Sequence, residues 1–226
     1  GIVATNYYNL YVTSGSRFKN LCNGVILNKY AYAKVYQSKF DNIQPFGVNY
    51  QGSSYWLDNQ ISPISQFNNV SGNGIYASTN SFLFVGGFSQ LEPNNWGNNT
   101  HFNNCNKGVF VNASDVHVRN CSFDNVNVGV RGLNLRAKSF KIMKNKIASK
   151  IQGVSLMQSD FMLNDTIGYN TITSLPLFSQ LPQVSFNNGI FVSNQFMGRY
   201  TTILANKITS SFGISVNSAT GIRIQS

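Results

Sequence analysis

Eight glycines in this chain are each followed at once by valine or isoleucine: Gly24-Val25, Gly47-Val48, Gly74-Ile75, Gly108-Val109, Gly129-Val130, Gly153-Val154, Gly189-Ile190 and Gly213-Ile214. By subtraction they lie 23, 27, 34, 21, 24, 36 and 24 residues apart. A base period with a few longer intervals marks a solenoid with loop insertions, because one turn of chain cannot bury its apolar side alone and must stack on its neighbours.

An apolar residue precedes each glycine, and these anchors are Phe18, Phe40, Phe67, Phe102, Phe123, Ile147, Ile172 and Ile208. Two residues before them stand Ser16, Ser38, Ser65, Thr100, Cys121, Asn145, Asn170 and Asn206, all small or polar. Two residues after them stand Asn20, Asn42, Asn69, Asn104 and Asn125, then Ser149, Ser174 and Ser210. The five asparagines predict a ladder at a sharp bend, where a side-chain amide both donates and accepts and tolerates the left-handed backbone. The serines are expected to continue it with a shorter reach.

After each glycine the first and third residues are expected to point inward, as in Val25/Leu27, Val48/Tyr50, Ile75/Ala77, Val109/Val111, Val130/Gly132, Val154/Leu156, Ile190/Val192 and Ile214/Val216. The residues between them, Ile26, Asn49, Tyr76, Phe110, Arg131, Ser155, Phe191 and Ser215, are expected to face outward. A second short strand precedes each anchor, clearest at Val116 and Val118, Phe140 and Ile142, and Thr201 and Ile203. Helix is disfavoured, since apolar residues nowhere keep three- and four-residue spacing and Asn, Gly, Ser and Thr interrupt throughout.

Coil length, the inward β-branched positions and the asparagine column make the sequence resemble the right-handed parallel β-helix proteins of the pectate-lyase-like superfamily. That superfamily includes polysaccharide lyases, pectin hydrolases, phage tailspikes and bacterial surface proteins. The resemblance covers Asn9 to Ser226. It implies an all-β fold, a right-handed parallel β-helix solenoid of about eight to nine coils, with residues 1–226 as one domain and a rod on the order of 40 Å long. A globular β-sandwich is the alternative, and it gives no reason for the same column positions to return eight times.

Charged residues are 11% of the chain, so its polarity comes mainly from Asn, Ser, Thr and Gly, as on extracellular surfaces. The three cysteines, Cys22, Cys105 and Cys121, fall at different distances from their anchors and read as small buried thiols rather than disulfide partners. No apolar run has the length of a membrane span, and no membrane insertion is expected. The chain opens on Gly1 and closes on the alternating Gly221-Ile222-Arg223-Ile224, which reads as a piece of a longer protein with other domains as partners.

The net charge is +10, and seven of the 17 basic residues fall between Arg131 and Lys150. Arg131, Lys141, Lys144 and Lys146 form a candidate basic stripe, with Lys141 and Lys146 placed beside one anchor strand and His117, Thr171 and Lys207 at related sites in neighbouring coils. Such a stripe can hold an acidic polysaccharide by long-range attraction, or simply keep a β-rich surface from aggregating. Nucleic acid is not expected as a partner, because stacking aromatics are not interleaved with the basic residues.

Two insertions carry the other candidate site. From Gly47 to Phe67 the connection takes 20 residues and from Gly74 to Phe102 it takes 28, by subtraction, against 16 from Gly24 to Phe40. The extra segments, near 52–63 and 86–99, bring Tyr55, Trp56 and Asp58 together with Glu92 and Trp96 as a candidate glycan site, indoles under sugar rings and polar groups on hydroxyls. The alternative is that the tryptophans cover the coil edge beneath their own loops. A third insertion spans 174–186.

Catalysis has little support: the resemblance implies paired aspartates with a Gly-His-Gly segment for hydrolases, or a carboxylate cluster for Ca²⁺ in lyases, and neither pattern is present. Asp58 with Glu92 is the remaining carboxylate pair. No metal or cofactor is expected. The expected function is a non-catalytic adhesion or glycan-binding module, bacterial and extracellular or surface-exposed, or part of a phage virion. A polysaccharide lyase or glycoside hydrolase and a purely structural shaft are the alternatives.

Overall fold

The computed structural model describes residues 1–5, 9–12, 15–28, 32–35, 37–51, 59–61, 65–78, 81–86, 100–135, 139–157, 165–176, 188–193, 201–217 and 222–225. Among these there is no helix, and the strands form two long sheets. The 13-stranded sheet holds Ile2–Thr5, Arg17–Asn28, Lys39–Gln51, Gln66–Asn68 with Asn73–Ser78, His101–Asn103 with Lys107–Asn112, Ser122–Leu133, Lys146–Met157, Thr171–Ser174 with Asn188–Ser193, and Lys207–Thr209 with Phe212–Asn217. The nine-stranded sheet holds Asn9–Val12, Tyr32–Val35, Asn59–Ile61, Phe82–Val85, Asp115–Arg119, Phe140–Met143, Asp165–Gly168, Thr201–Leu204 and Ile222–Gln225. Every strand pairing is parallel. Both sheets keep chain order, so the chain crosses to the second sheet and returns beside the strand it left.

The eight anchors are register partners in sequence order: Phe18, Phe40, Phe67, Phe102, Phe123, Ile147, Ile172 and Ile208. All but half-buried Ile208 are buried. The five phenyl rings stack, with successive centroids 4.7, 4.7, 5.0 and 4.7 Å apart. That spacing is set by the distance between parallel strands, which places identical side chains directly over one another.

This stack explains the recurring glycine. A Cβ on Gly47 would lie 2.6 Å from Phe67 Cδ1, and one on Gly74 would lie 2.6 Å from Phe102 Cδ1. In each case the ring belongs to the anchor of the following repeat, and the same holds for Gly129 against Ile147 Cγ2 at 2.7 Å. The glycine leaves the floor on which the next anchor rests. The β-branched residue after it then packs inward, and Val25, Val48, Ile75, Val109, Val130, Val154 and Ile190 are fully buried.

Asn20, Asn42, Asn69, Asn104 and Asn125 all adopt left-handed backbone, with φ of 57, 54, 54, 54 and 53°. Asn42 Nδ2 donates to Asn20 Oδ1 at 3.2 Å, Asn104 Nδ2 to Asn69 Oδ1 at 3.0 Å, and Asn125 Nδ2 to Asn104 Oδ1. The ladder is exposed, at the bend between anchor strand and glycine strand.

The serines do not continue it. Ser149 pairs with Val126 rather than Asn125, because the left-handed asparagine is one extra residue on its strand and shifts the register there. Ser149 is buried and its Oγ has no partner, and the Ser210 Oγ donates locally to the Phe212 carbonyl at 2.6 Å.

A second amide ladder runs on the other side of the anchors. Asn145 Nδ2 donates to Asn170 Oδ1 at 3.0 Å and Asn170 Nδ2 to Asn206 Oδ1 at 2.9 Å. The same oxygens accept from the backbone N–H of Asn145 and Asn170, both at 3.0 Å. Asn145 and Asn170 are buried, so these bonds satisfy the polar groups of a turn that water does not reach.

In the nine-stranded sheet Val116, Val118, Phe140, Ile142 and Ile203 are buried, as expected. Asn49 and Ser155 take their expected places in the outward column but are buried there. Val216, in an inward column, is 45% exposed, as is Ile224 at 58%, since no described strand lies beyond theirs.

The contact between glycine and ring yields a paired expectation. Gly74→Ala should cost ~1–3 kcal/mol through overpacking against Phe102, whereas Gly213, whose added Cβ would meet nothing within 4 Å, should accept alanine with stability unchanged or raised. Chemical denaturation of both variants checks this, with equal losses counting against the stacking account. Phe123→Ala should cost ~3–5 kcal/mol.

Candidate functional site

Tyr55, Trp56, Asp58, Glu92 and Trp96 lie outside the described residues, as do most of the three insertions. The basic residues are described, and they do not form one stripe. Arg131 pairs with Phe110 and Ser155 on the glycine strands, and Lys141 pairs with His117 and Thr166 in the nine-stranded sheet. Lys146 pairs with Ser122 and Thr171 on the anchor strands, while Lys144 sits at the bend between sheets with φ 55°. The placement of Lys141 beside the anchor strand is thus corrected. Residues close in sequence here spread around one repeat, and charges gather only where register partners share a column.

The outer face of the glycine strands does gather functional groups. Asn23, Phe46, Asn73, Lys107 and Val128 are consecutive register partners just before the glycines. Beside them run Ile26, Asn49, Tyr76, Phe110, Arg131, Ser155, Phe191 and Ser215. The Phe46 and Tyr76 rings stack at 5.3 Å, and the Tyr76 and Phe110 centroids lie 5.2 Å apart. Lys107 Nζ stands 5.5 Å from the Phe110 ring centre and the Arg131 guanidinium 6.0 Å from it. Two cations thus approach one ring, each attracted to it and repelled by the other. Desolvation, then the Arg131 charge, lowers the Lys107 pKa.

Six buried polar atoms without partners lie on this face: Asn23 Oδ1, Asn49 Oδ1, Asn73 Oδ1, Arg131 Nε, Ser155 Oγ and Ser193 Oγ. Each such group costs ~1–3 kcal/mol when left unpaired. They lie beneath the accessible surface of that face, beside the half-buried Lys107 and Phe110. The signal was present in the sequence as the residue before each glycine, which places Phe46 and Lys107 beside the outward column.

Carboxylates are not paired for hydrolysis among the described residues. Asp41, Asn68, Asn103 and Asp124 are successive register partners, so the two acids stand about 14 Å apart, three strand spacings. Glycoside hydrolysis needs a separation of about 5–9.5 Å. Asp41 accepts from Asn68 Nδ2 at 2.7 Å, and Asp124 accepts from Ser122 Oγ at 2.9 Å. His117 Nε2 lies 3.2 Å from Ser139 Oγ, with the Phe82 and Phe84 rings set edgewise to it. No group of three metal-ligating side chains occurs among the described residues.

No family model, curated protein or solved structure matches the chain.

The cysteines are all free, but Cys22 is exposed, which corrects its reading as a buried thiol. It precedes the outward-facing Asn23 by one residue in a strand that bends at Asn20. Burial pushes the Cys105 thiol up to about 12 and raises that of Cys121 as well. A thiolate-directed alkylating reagent at neutral pH should therefore modify Cys22 alone in the folded protein and all three after denaturation, as read by mass spectrometry. Labelling of Cys121 in the folded chain would contradict its place in the stack.

Proposed function

We propose that the chain is a right-handed parallel β-helix solenoid of about eight to nine coils, serving as an extracellular glycan-binding module rather than an enzyme. Two parallel sheets in chain order, with an asparagine ladder joining successive repeats along the broader one, support the solenoid reading. The observation that carries the binding reading is the glycine-strand face, where Phe46, Tyr76 and Phe110 lie beside Lys107, Arg131 and the unpartnered oxygens of Asn49 and Asn73. Aromatic rings offer a face to the apolar side of a pyranose. The half-buried cations beside the rings favour a carboxylated sugar. A bacterial surface or a phage virion is the setting in which such a module meets glycans.

Glycan-array binding followed by calorimetry tests this reading. Tyr76→Leu with Phe110→Leu keeps apolar volume but removes both π faces. It should lower affinity for the retained glycan about tenfold, equivalent to ~1.4 kcal/mol, with the melting temperature nearly unchanged. Absence of any retained glycan would favour a structural shaft. Depolymerisation of pectate or alginate that is lost in both Asp58→Asn and Glu92→Gln would replace the reading with an enzyme.

A further inference from the structure

The anchor strands carry a different surface, on the other side of the left-handed asparagine bend. Their outward column before the anchor reads Arg17, Lys39, Gln66, His101, Ser122, Lys146, Thr171 and Lys207, each a register partner of the next. The column after the anchor reads Lys19, Asp41, Asn68, Asn103 and Asp124, then Ala148, Thr173 and Thr209. Arg17, Lys19, Lys39, Lys146 and Lys207 are exposed. Five permanent cations less two carboxylates leave this face at +3, by subtraction, and both carboxylates already accept hydrogen bonds from Asn68 and Ser122.

We propose that this face is a binding track for a linear acidic polysaccharide laid along the stack, independent of the aromatic face. Its charge complements a polyanion, and its columns are straight because every pairing is parallel. Successive parallel strands lie ~4.8 Å apart, a step on the scale of one sugar ring, so neighbouring sugars of a chain laid along the stack meet neighbouring repeats. Lys146 and Lys207 stand two spacings apart, ~9.6 Å, matching carboxylates on alternate sugars. Between the cationic ends, Gln66, Asn68, His101 and Asn103 present hydrogen-bonding groups to hydroxyls. Neither column holds Phe, Tyr or Trp, so His101 is the one ring this face could offer to nucleic-acid bases. Nor do the cations at Lys39 and Lys146 guard a sheet edge, since their strands are paired on both sides.

Calorimetry with alginate oligosaccharides, at low and at physiological ionic strength, tests the track in the 226-residue chain. Binding is expected to weaken severalfold with added salt, because the contacts are solvent-exposed charges. The variant combining Arg17→Gln, Lys39→Gln, Lys146→Gln and Lys207→Gln should lose at least tenfold in affinity while its melting temperature holds. The control pair Lys141→Gln and Arg223→Gln, on the nine-stranded sheet, should bind as the parent does. The proposal is overturned if the four-site variant binds alginate unchanged, if the control pair loses as much, or if neutral dextran or duplex DNA binds equally well at the same ionic strength.

Discussion

The stack depends on one close approach, that of an anchor side chain to the glycine of the repeat before it. A single Cβ at Gly47 or Gly74 would fall 2.6 Å from the neighbouring phenyl carbon, well inside contact distance. Removing that carbon lets the ring lie over the backbone, and the ring in turn covers the strand that follows. Because parallel strands repeat at about 4.8 Å, the solution found in one repeat is imposed on the next. Phe18, Phe40, Phe67, Phe102 and Phe123 therefore lie nearly parallel, with interplanar angles of 4, 5, 9 and 7°. The change to isoleucine at 147, 172 and 208 keeps the relation to glycine but replaces a flat ring by a branched chain.

Polar ladders solve the other problem of a stack, the backbone groups at its bends. The two are complementary in placement. Where phenylalanine anchors the repeat, an exposed asparagine in left-handed backbone turns the chain after the anchor. Where isoleucine anchors it, the buried Asn145 and Asn170 and the half-buried Asn206 tie the turn before the anchor, reaching across to the Val118, Ile142 and Ile167 carbonyls. The exchange of one ladder for the other coincides with the change of anchor between Phe123 and Ile147. The tool that keeps consecutive repeats in register thus moves from one bend to the other along the molecule.

Much of this was legible in sequence, because each relation is between residues a fixed distance from the anchor. The anchor column, the inward valines and the five-asparagine ladder follow from periodicity alone. The serine extension failed for a physical reason: counting residues from the anchor assumes a constant path. A left-handed asparagine adds a residue that a continuous strand lacks, so Ser149 meets Val126 instead. The basic stripe failed similarly. Lys141, Lys144 and Lys146 are near in sequence but stand on one sheet, a bend and the other sheet; the relation of Lys146 to Thr171 and Lys207 was legible in the sequence, and the register adds Lys39 to that column. The aromatic face was half legible, since Tyr76, Phe110 and Arg131 fall in the outward column, while the contributions of Phe46 and Lys107 require the diagonal between neighbouring strands.

The two outer faces of the broad sheet differ in how they meet a partner. On the glycine strands, cations are half-buried against a ring, and desolvation with mutual repulsion lowers the Lys107 pKa. Polar atoms there are buried without partners, and any recognition on this face works at short range, through the rings and the half-buried cations. On the anchor strands, the cations are exposed and strong in number but individually screened within about 8–10 Å at physiological salt. Attraction there works over the length of the column and selects for charge density more than for shape. One sheet, bent at its asparagine ladder, therefore carries two chemically different faces, the one we propose for a sugar and the one we propose for a charged chain, and the same parallel register that stacks the core aligns both.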